Sequence, residues 1–153
     1  MWYDKRMIET APKNFEEFKA ISAELSTKGI AGMTYPGMYA DYNVWALIMP
    51  AVAAYGEDFF LDVAQGKPEA FQDERFKAVM QRYKEYCDAG YLLKGSTSAD
   101  HTTSQLNWLN GQAGFITNGL WLEAEMSDYI PEGFEMSFCA SPAATEFSIG
   151  TPT

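Results

Sequence analysis

Apolar residues along this chain recur mostly at helical spacing, interrupted by a few short runs that read as strands. Asn14 stands before Phe15, Phe18, Ile21 (or Ser22) and Leu25, with Glu17 three residues past the cap and Gly29 beyond the last apolar position. That pattern predicts a helix over 15–28 with a capping box at its start and a glycine stop. Ile30 to Tyr35 follows as a short strand, broken by Pro36-Gly37. Asp41 or Asn43 starts a second helix that runs to Tyr55, with Pro50 as an expected kink and Gly56 as the stop. Over 57–71 the pattern is ambiguous: Phe59, Phe60, Leu61 and Val63 suggest a helical turn, and Gly66-Lys67-Pro68 a loop. Asp73 caps a third helix with an apolar face of Phe76, Val79, Met80, Tyr83 and Cys87, ending at Gly90.

The second half is choppier. Lys94 to Asp100 is a polar loop, and Thr102 to Asn110 a short helix with Leu106 and Leu109 on one face, stopped by Gly111. Ala113 to Asn118 reads as a buried strand, and Trp121 to Tyr129 as a short helix ended by Pro131. Phe134 to Cys139 alternates apolar and polar positions and reads as a strand. Four or five helices mixed with about four short strands make an α/β or α+β unit richer in helix than in sheet.

Composition narrows the partners. The 153 residues include 47% hydrophobic and 15% aromatic positions, enough to bury a sizeable core. Eleven basic against 21 acidic residues give a formal net charge of -10, which disfavours nucleic acid and anionic lipid as partners. No apolar run approaches the roughly 20 residues that a membrane span needs. The start, Met1 to Arg6, lacks the apolar segment of a signal peptide, so either the chain is cytoplasmic or its natural start lies upstream. Cys87 and Cys139 permit one disulfide at most, and free buried thiols are the simpler expectation. The single His101 argues against a histidine-based zinc site, and no nucleotide-binding or hydrolase motif is present, so neither metal nor cofactor is expected.

Candidate chemistry is thin in acids and rich in rings. Glu123 and Glu125 flank Ala124 after a Trp, but positions two apart point to different helix faces, so they read as solvated acids rather than a glycosidase pair. The rings Trp2, Tyr3, Tyr35, Tyr39, Tyr42, Trp45, Trp108 and Trp121 exceed what a core needs, and several fall beside turns. Sugars offer flat C–H faces to aromatic rings and hydroxyls to polar groups at the rim. Tyr39, Asp41, Tyr42 and Asn43 collect such groups at one helix start, and Asn118-Gly119-Leu120-Trp121 places a Trp after a strand-to-helix turn where backbone N–H groups are free. From spacing alone each Trp belongs more often to the core than to a ligand platform.

The order of these motifs resembles a known family, the periplasmic or lipoprotein sugar-binding proteins of ABC importers, of the maltose-binding-protein-like kind. Trp2-Tyr3-Asp4-Lys5 is similar to the family's hinge strand. Pro12-Lys13-Asn14-Phe15-Glu16-Glu17-Phe18 is similar to the segment after it, with Asn14 and Phe15 standing for Thr and Trp. Lys28-Gly29-Ile30 matches a helix exit, Tyr42 and Trp45 an aromatic pair at a helix start, and Trp108 to Ala113 a second helix exit with Trp for Phe. Then follow a short strand, Gly119-Leu120-Trp121, and a closing strand before Pro142. The resemblance implies a two-lobed clamp of the periplasmic-binding-protein fold, closing on a sugar. This chain would be its helix-rich α/β lobe, a small central sheet surrounded by helices over 1–142, with 143–153 as an irregular tail. The other lobe, the leader and the last helices would lie elsewhere. It implies a sugar or oligosaccharide ligand, an ABC importer permease as partner, an extracellular or periplasmic location (lipoprotein-anchored if Gram-positive), and no catalysis. It carries ligand stacking to Trp121 and Tyr42 first, rim contacts to Gly119 and Asn118 next, and weaker roles to Trp45 and Asp41. A standalone carbohydrate-binding or interaction module, or a glycosidase fragment, are the alternatives; the latter needs two acids converging in one pocket.

Overall fold

The computed structural model describes residues 1–143; the expected tail, from residue 144 on, lies outside them. Four short strands form one sheet in the order β2-β3-β1-β4, where β1 is Trp2–Asp4, β2 Ala31–Thr34, β3 Ala113–Ile116 and β4 Met136–Phe138. β1 runs antiparallel to both β3 and β4, while β2 and β3 are parallel. The strands read from the sequence over 30–35, 113–118 and 134–139 all belong to this sheet, each shorter than expected, and the segment similar to a hinge strand pairs between two of them. This is the mixed, helix-rich α/β architecture expected for one lobe.

The sheet is covered on both faces, and its pleat explains the sorting of side chains. Trp2 pairs with Ile116 and Tyr3 with Phe115, so neighbouring residues go to opposite layers. Trp2 and Ile116 join Trp108, Leu109, Leu122 and Met126 in one buried cluster. Tyr3 and Phe115 join Phe18, Met33 and Tyr86 in another. A third cluster, Val52, Phe59, Val63 and Val79, holds the middle helices together away from the sheet.

The first helix, Phe15–Thr27, starts where Asn14 accepts a hydrogen bond from the Glu17 N–H at 2.9 Å. The Glu17 carboxylate reaches the Lys13 N–H at 2.7 Å, one residue beyond the usual capping-box partner. Ser22, not Ile21, is the fully buried position on its inner face. There its hydroxyl lies 2.8 Å from that of Tyr86, whose ring stacks on Phe18 at 4.8 Å. The helix Glu74–Asp88, capped by Asp73, therefore turns Val79 and Tyr86 inward, while Met80 of the expected face is exposed. Gly32 permits this close packing, because a Cβ there would sit 2.4 Å from the Tyr86 hydroxyl. The ambiguous stretch resolves into two helices, Glu57–Ala64 and Pro68–Gln72.

The expected kink at Pro50 takes the form of a widened turn. The helical run comprises Asp41–Asn43, a π-helical turn over Val44–Ile48, and Met49–Ala53. The Met49 N–H bonds to the Val44 carbonyl, five residues back. Proline lacks an N–H and crowds the carbonyl four residues before it, so a wider turn ahead of it relieves the clash. Among the described residues no helix is long and apolar enough to cross a membrane.

Candidate functional site

One cleft collects two distant stretches of chain. Asp41, Tyr42, Trp45 and Ala46 come from the π-turned helix, and Asn118, Gly119 and Trp121 from the turn after β3; Met1 and Ser141 complete the lining. Its volume is about 420 Å³, within the range of small-molecule sites. All six candidate residues thus share one concavity. Trp45 is 62% exposed and Trp121 55%, so both present ring surface to solvent beside polar groups. Of the other rings, Trp2, Tyr3, Tyr35 and Trp108 are buried in the core.

Two anchors hold the Tyr42 side of the cleft. Asn43 does not cap the helix; its side chain is buried and ties it to the sheet. The Thr117 hydroxyl donates to Asn43 Oδ1 at 2.9 Å, and Asn43 Nδ2 donates to the Tyr83 hydroxyl at 2.9 Å. Upstream, the Gly37 N–H donates to the Ser96 carbonyl and the Met38 N–H to that of Ala99, which pins the loop leading into the helix. His101, the first residue of the helix His101–Leu109, lies against this region. Its Nδ1 is 3.2 Å from the Tyr42 hydroxyl, and its ring centre is 4.2 Å from that of Tyr39. Burial, then the carboxylates of Asp41 and Glu125, push the Tyr42 phenol above its ordinary pKa, so it stays neutral.

The Trp121 side is fixed by backbone contacts. The Gly119 N–H donates to Asn118 Oδ1 at 2.8 Å, and its carbonyl accepts from Trp2 Nε1 at 2.9 Å. A Cβ on Gly119 would lie 2.2 Å from the benzo ring of Trp121, so only glycine lets that ring rest against the backbone. Asn118 Nδ2 is buried with no partner among the described residues. An unpaired buried donor is costly unless something accepts from it, and this one belongs to a cleft residue.

Among the described residues lining the cleft, Asp41 alone has a charged side chain. Glu125 is not part of it: its carboxylate accepts from Gln105 Nε2 at 2.7 Å. Glu123 does not line it either. No group of three or more potential metal ligands occurs among the described residues. Cys87 and Cys139 are free, and burial raises both thiol pKa values. Met1, Ala46 and Ser141 escaped the sequence reading, since small or flexible residues give no pattern that marks a cleft wall.

No family model matches the sequence, and no curated protein matches it. Solved structures do. The chain superposes on the bacterial solute receptor AcbH, described as having an exclusive substrate preference for β-D-galactopyranose, with a TM-score of 0.72 and 18% identity over 95% of this chain. A chitin oligosaccharide binding protein gives 0.77 and 19% over 96%. A family 1 extracellular solute-binding protein from Bifidobacterium longum subsp. infantis gives 0.66 and 14% over 94%. The chain spans 37%, 38% and 40% of the length of those three proteins, respectively. At these identities the likeness establishes the fold: this chain has the architecture of part of a solute-binding protein.

Proposed function

We propose that residues 1–142 form one lobe of an extracellular or periplasmic solute-binding protein, which captures a sugar or oligosaccharide and delivers it to an ABC importer. The observation that carries this reading is the convergence of Tyr42, Trp45, Asn118, Gly119 and Trp121 on one cleft, with exposed indoles next to an unpartnered amide donor. Trp121 and Trp45 offer stacking faces to sugar C–H groups. Asp41 accepts from hydroxyls, Asn118 Nδ2 donates to a ring or acyl oxygen, and Tyr42 does either. The neighbours of like fold are receptors for galactopyranose and chitin oligosaccharide by description, which supports the ligand class.

A clamp gathers affinity from both lobes, and closure shields the ligand from water. The chain alone is therefore expected to bind β-D-galactopyranose or a chitin oligosaccharide with millimolar or weaker affinity. NMR titration should perturb Trp121, Tyr42 and Asn118 first. Micromolar binding would mean that the site is complete within this chain and would favour a standalone carbohydrate-binding module. Perturbations confined to other surfaces would refute the cleft.

A further inference from the structure

We infer that Trp2, a buried residue of the sheet, is the positioning residue for the Trp121 ring. Its indole packs among Trp108, Ile116 and Leu122, with the Phe138 ring centre 5.3 Å away. The Trp2 N–H points out of that cluster, to the Gly119 carbonyl. The same carbonyl accepts from the Leu122 N–H at 3.3 Å, where the helix Leu122–Glu125 begins. With the Gly119 N–H held by Asn118, this residue is fixed from both sides.

Trp121 rests on that fixed residue, as the 2.2 Å approach of a hypothetical Gly119 Cβ demonstrates. More than half exposed, the Trp121 ring has few other neighbours to hold it, so a shift of Gly119 transmits to it directly. Trp2 in turn belongs to β1, which pairs with β3 on one side and β4 on the other. The seat of the cleft's exposed indole is thereby tied to the centre of the sheet through one N–H. A phenylalanine at position 2 would fill the apolar space and could not donate. The geometric coupling stands on its own; its effect on sugar affinity rests on the reading of the cleft as a sugar site.

The test uses the chain labelled with 5-fluorotryptophan, whose four tryptophans give four fluorine signals. In Trp2→Phe the Trp121 signal should shift or broaden toward that of Gly119→Ala, which displaces the ring directly, while the Trp45 signal stays in place; Trp108, packed against residue 2, responds to the change of ring itself. Affinity for galactopyranose or chitin oligosaccharide should fall about fivefold, the equivalent of one net hydrogen bond of ~1 kcal/mol. If Trp2→Phe fails to fold, 3-benzothienylalanine at position 2, isosteric with Trp but lacking the N–H, serves instead. An unmoved Trp121 signal in a folded variant, or equal movement of all the remaining signals, overturns the inference. A moved Trp121 signal in a protein that binds neither sugar supports the positioning role and sinks the sugar reading alone.

Discussion

Replacing Trp121 with alanine separates a ligand platform from a core residue. A fully buried Trp cut to Ala costs about 3–5 kcal/mol of folding free energy. Trp121 is 55% exposed, so less than half of its surface is withdrawn from water, and the expected loss scales down to about 1–2 kcal/mol. For a chain of this size each kcal/mol moves the melting temperature by about 2–4 °C, giving a drop of about 2–8 °C. Trp108, with 0% exposure, is the internal control: Trp108→Ala should lose the full ~3–5 kcal/mol and melt about 6–20 °C lower, or fail to fold. Affinity should run the other way. Stacking a sugar face on a large ring contributes on the order of 1–3 kcal/mol, so Trp121→Ala should weaken binding about tenfold to a hundredfold. Calorimetric melting and an NMR sugar titration on the same preparation read both quantities. Unchanged affinity beside a large loss of stability would refute the platform role.

Gly119→Ala should weaken sugar binding about tenfold by driving the Trp121 ring more than an ångström outward to reach ordinary contact distance; thermal melting should barely change, and acrylamide quenching of Trp121 should rise. Asn43→Ala leaves the Thr117 and Tyr83 hydroxyls without their buried partner and should cost about 2–3 kcal/mol in chemical denaturation; Thr117→Val in the same background should recover part of it, because the two sites are coupled. The capping carboxylates contribute to the acid limb of stability. Hydrogen bonds from the Arg75 side chain and backbone lower the pKa of Asp73 to about 2, and those from Thr103 lower that of Asp100. A lowered folded-state pKa means stability that is complete above the ordinary Asp value of about 4 and lost as pH falls toward 2. Urea midpoints measured from pH 5 to pH 2 should fall over that window, and Asp73→Asn should both lower the pH 5 midpoint and flatten the decline; an unchanged acid limb would contradict this.

The helices and strands were largely legible because their signals are local. Asn14 and Asp73 cap where a short polar residue precedes an apolar repeat, and Trp2–Tyr3 and Phe115–Ile116 reveal a two-sided strand by supplying both faces; Asp100, read as the end of a loop, also caps a helix, but the polar run after it hides the signal. The illegible parts depend on partners far along the chain. Tyr86 is buried because Ser22 accepts or donates across 64 positions, so the inward face of its helix could not be read from apolar spacing. Asn43 looked like a cap and is instead an interior tie to Thr117, 74 positions away. In the cleft, exposed rings were separable from buried ones only by tertiary packing: nothing local to Trp108 distinguishes it from Trp121. The six cleft residues were named through resemblance rather than periodicity, and Ala46 and Ser141, bland in sequence, were not named at all.

The widened turn over Val44–Ile48 acts as a gear between two faces of one rod. In a regular α-helix each residue advances the side-chain direction by about 100°, and one turn of five inserts an extra step. Before the step Tyr42, and within it Trp45, look toward the cleft; downstream, Met49, Ala51 and Val52 look into the helical core. Closing this turn to regular pitch with every residue kept would swing the Tyr42 end by about 100° relative to the Val52 end, whereas deleting one residue between Val44 and Ile48 would restore regular pitch and keep the two ends in phase. In the first case the cleft would lose its aromatic wall although no residue had changed. The wide turn thus sets the phase of the rod, absorbing one residue that a regular helix of the same length would express as rotation.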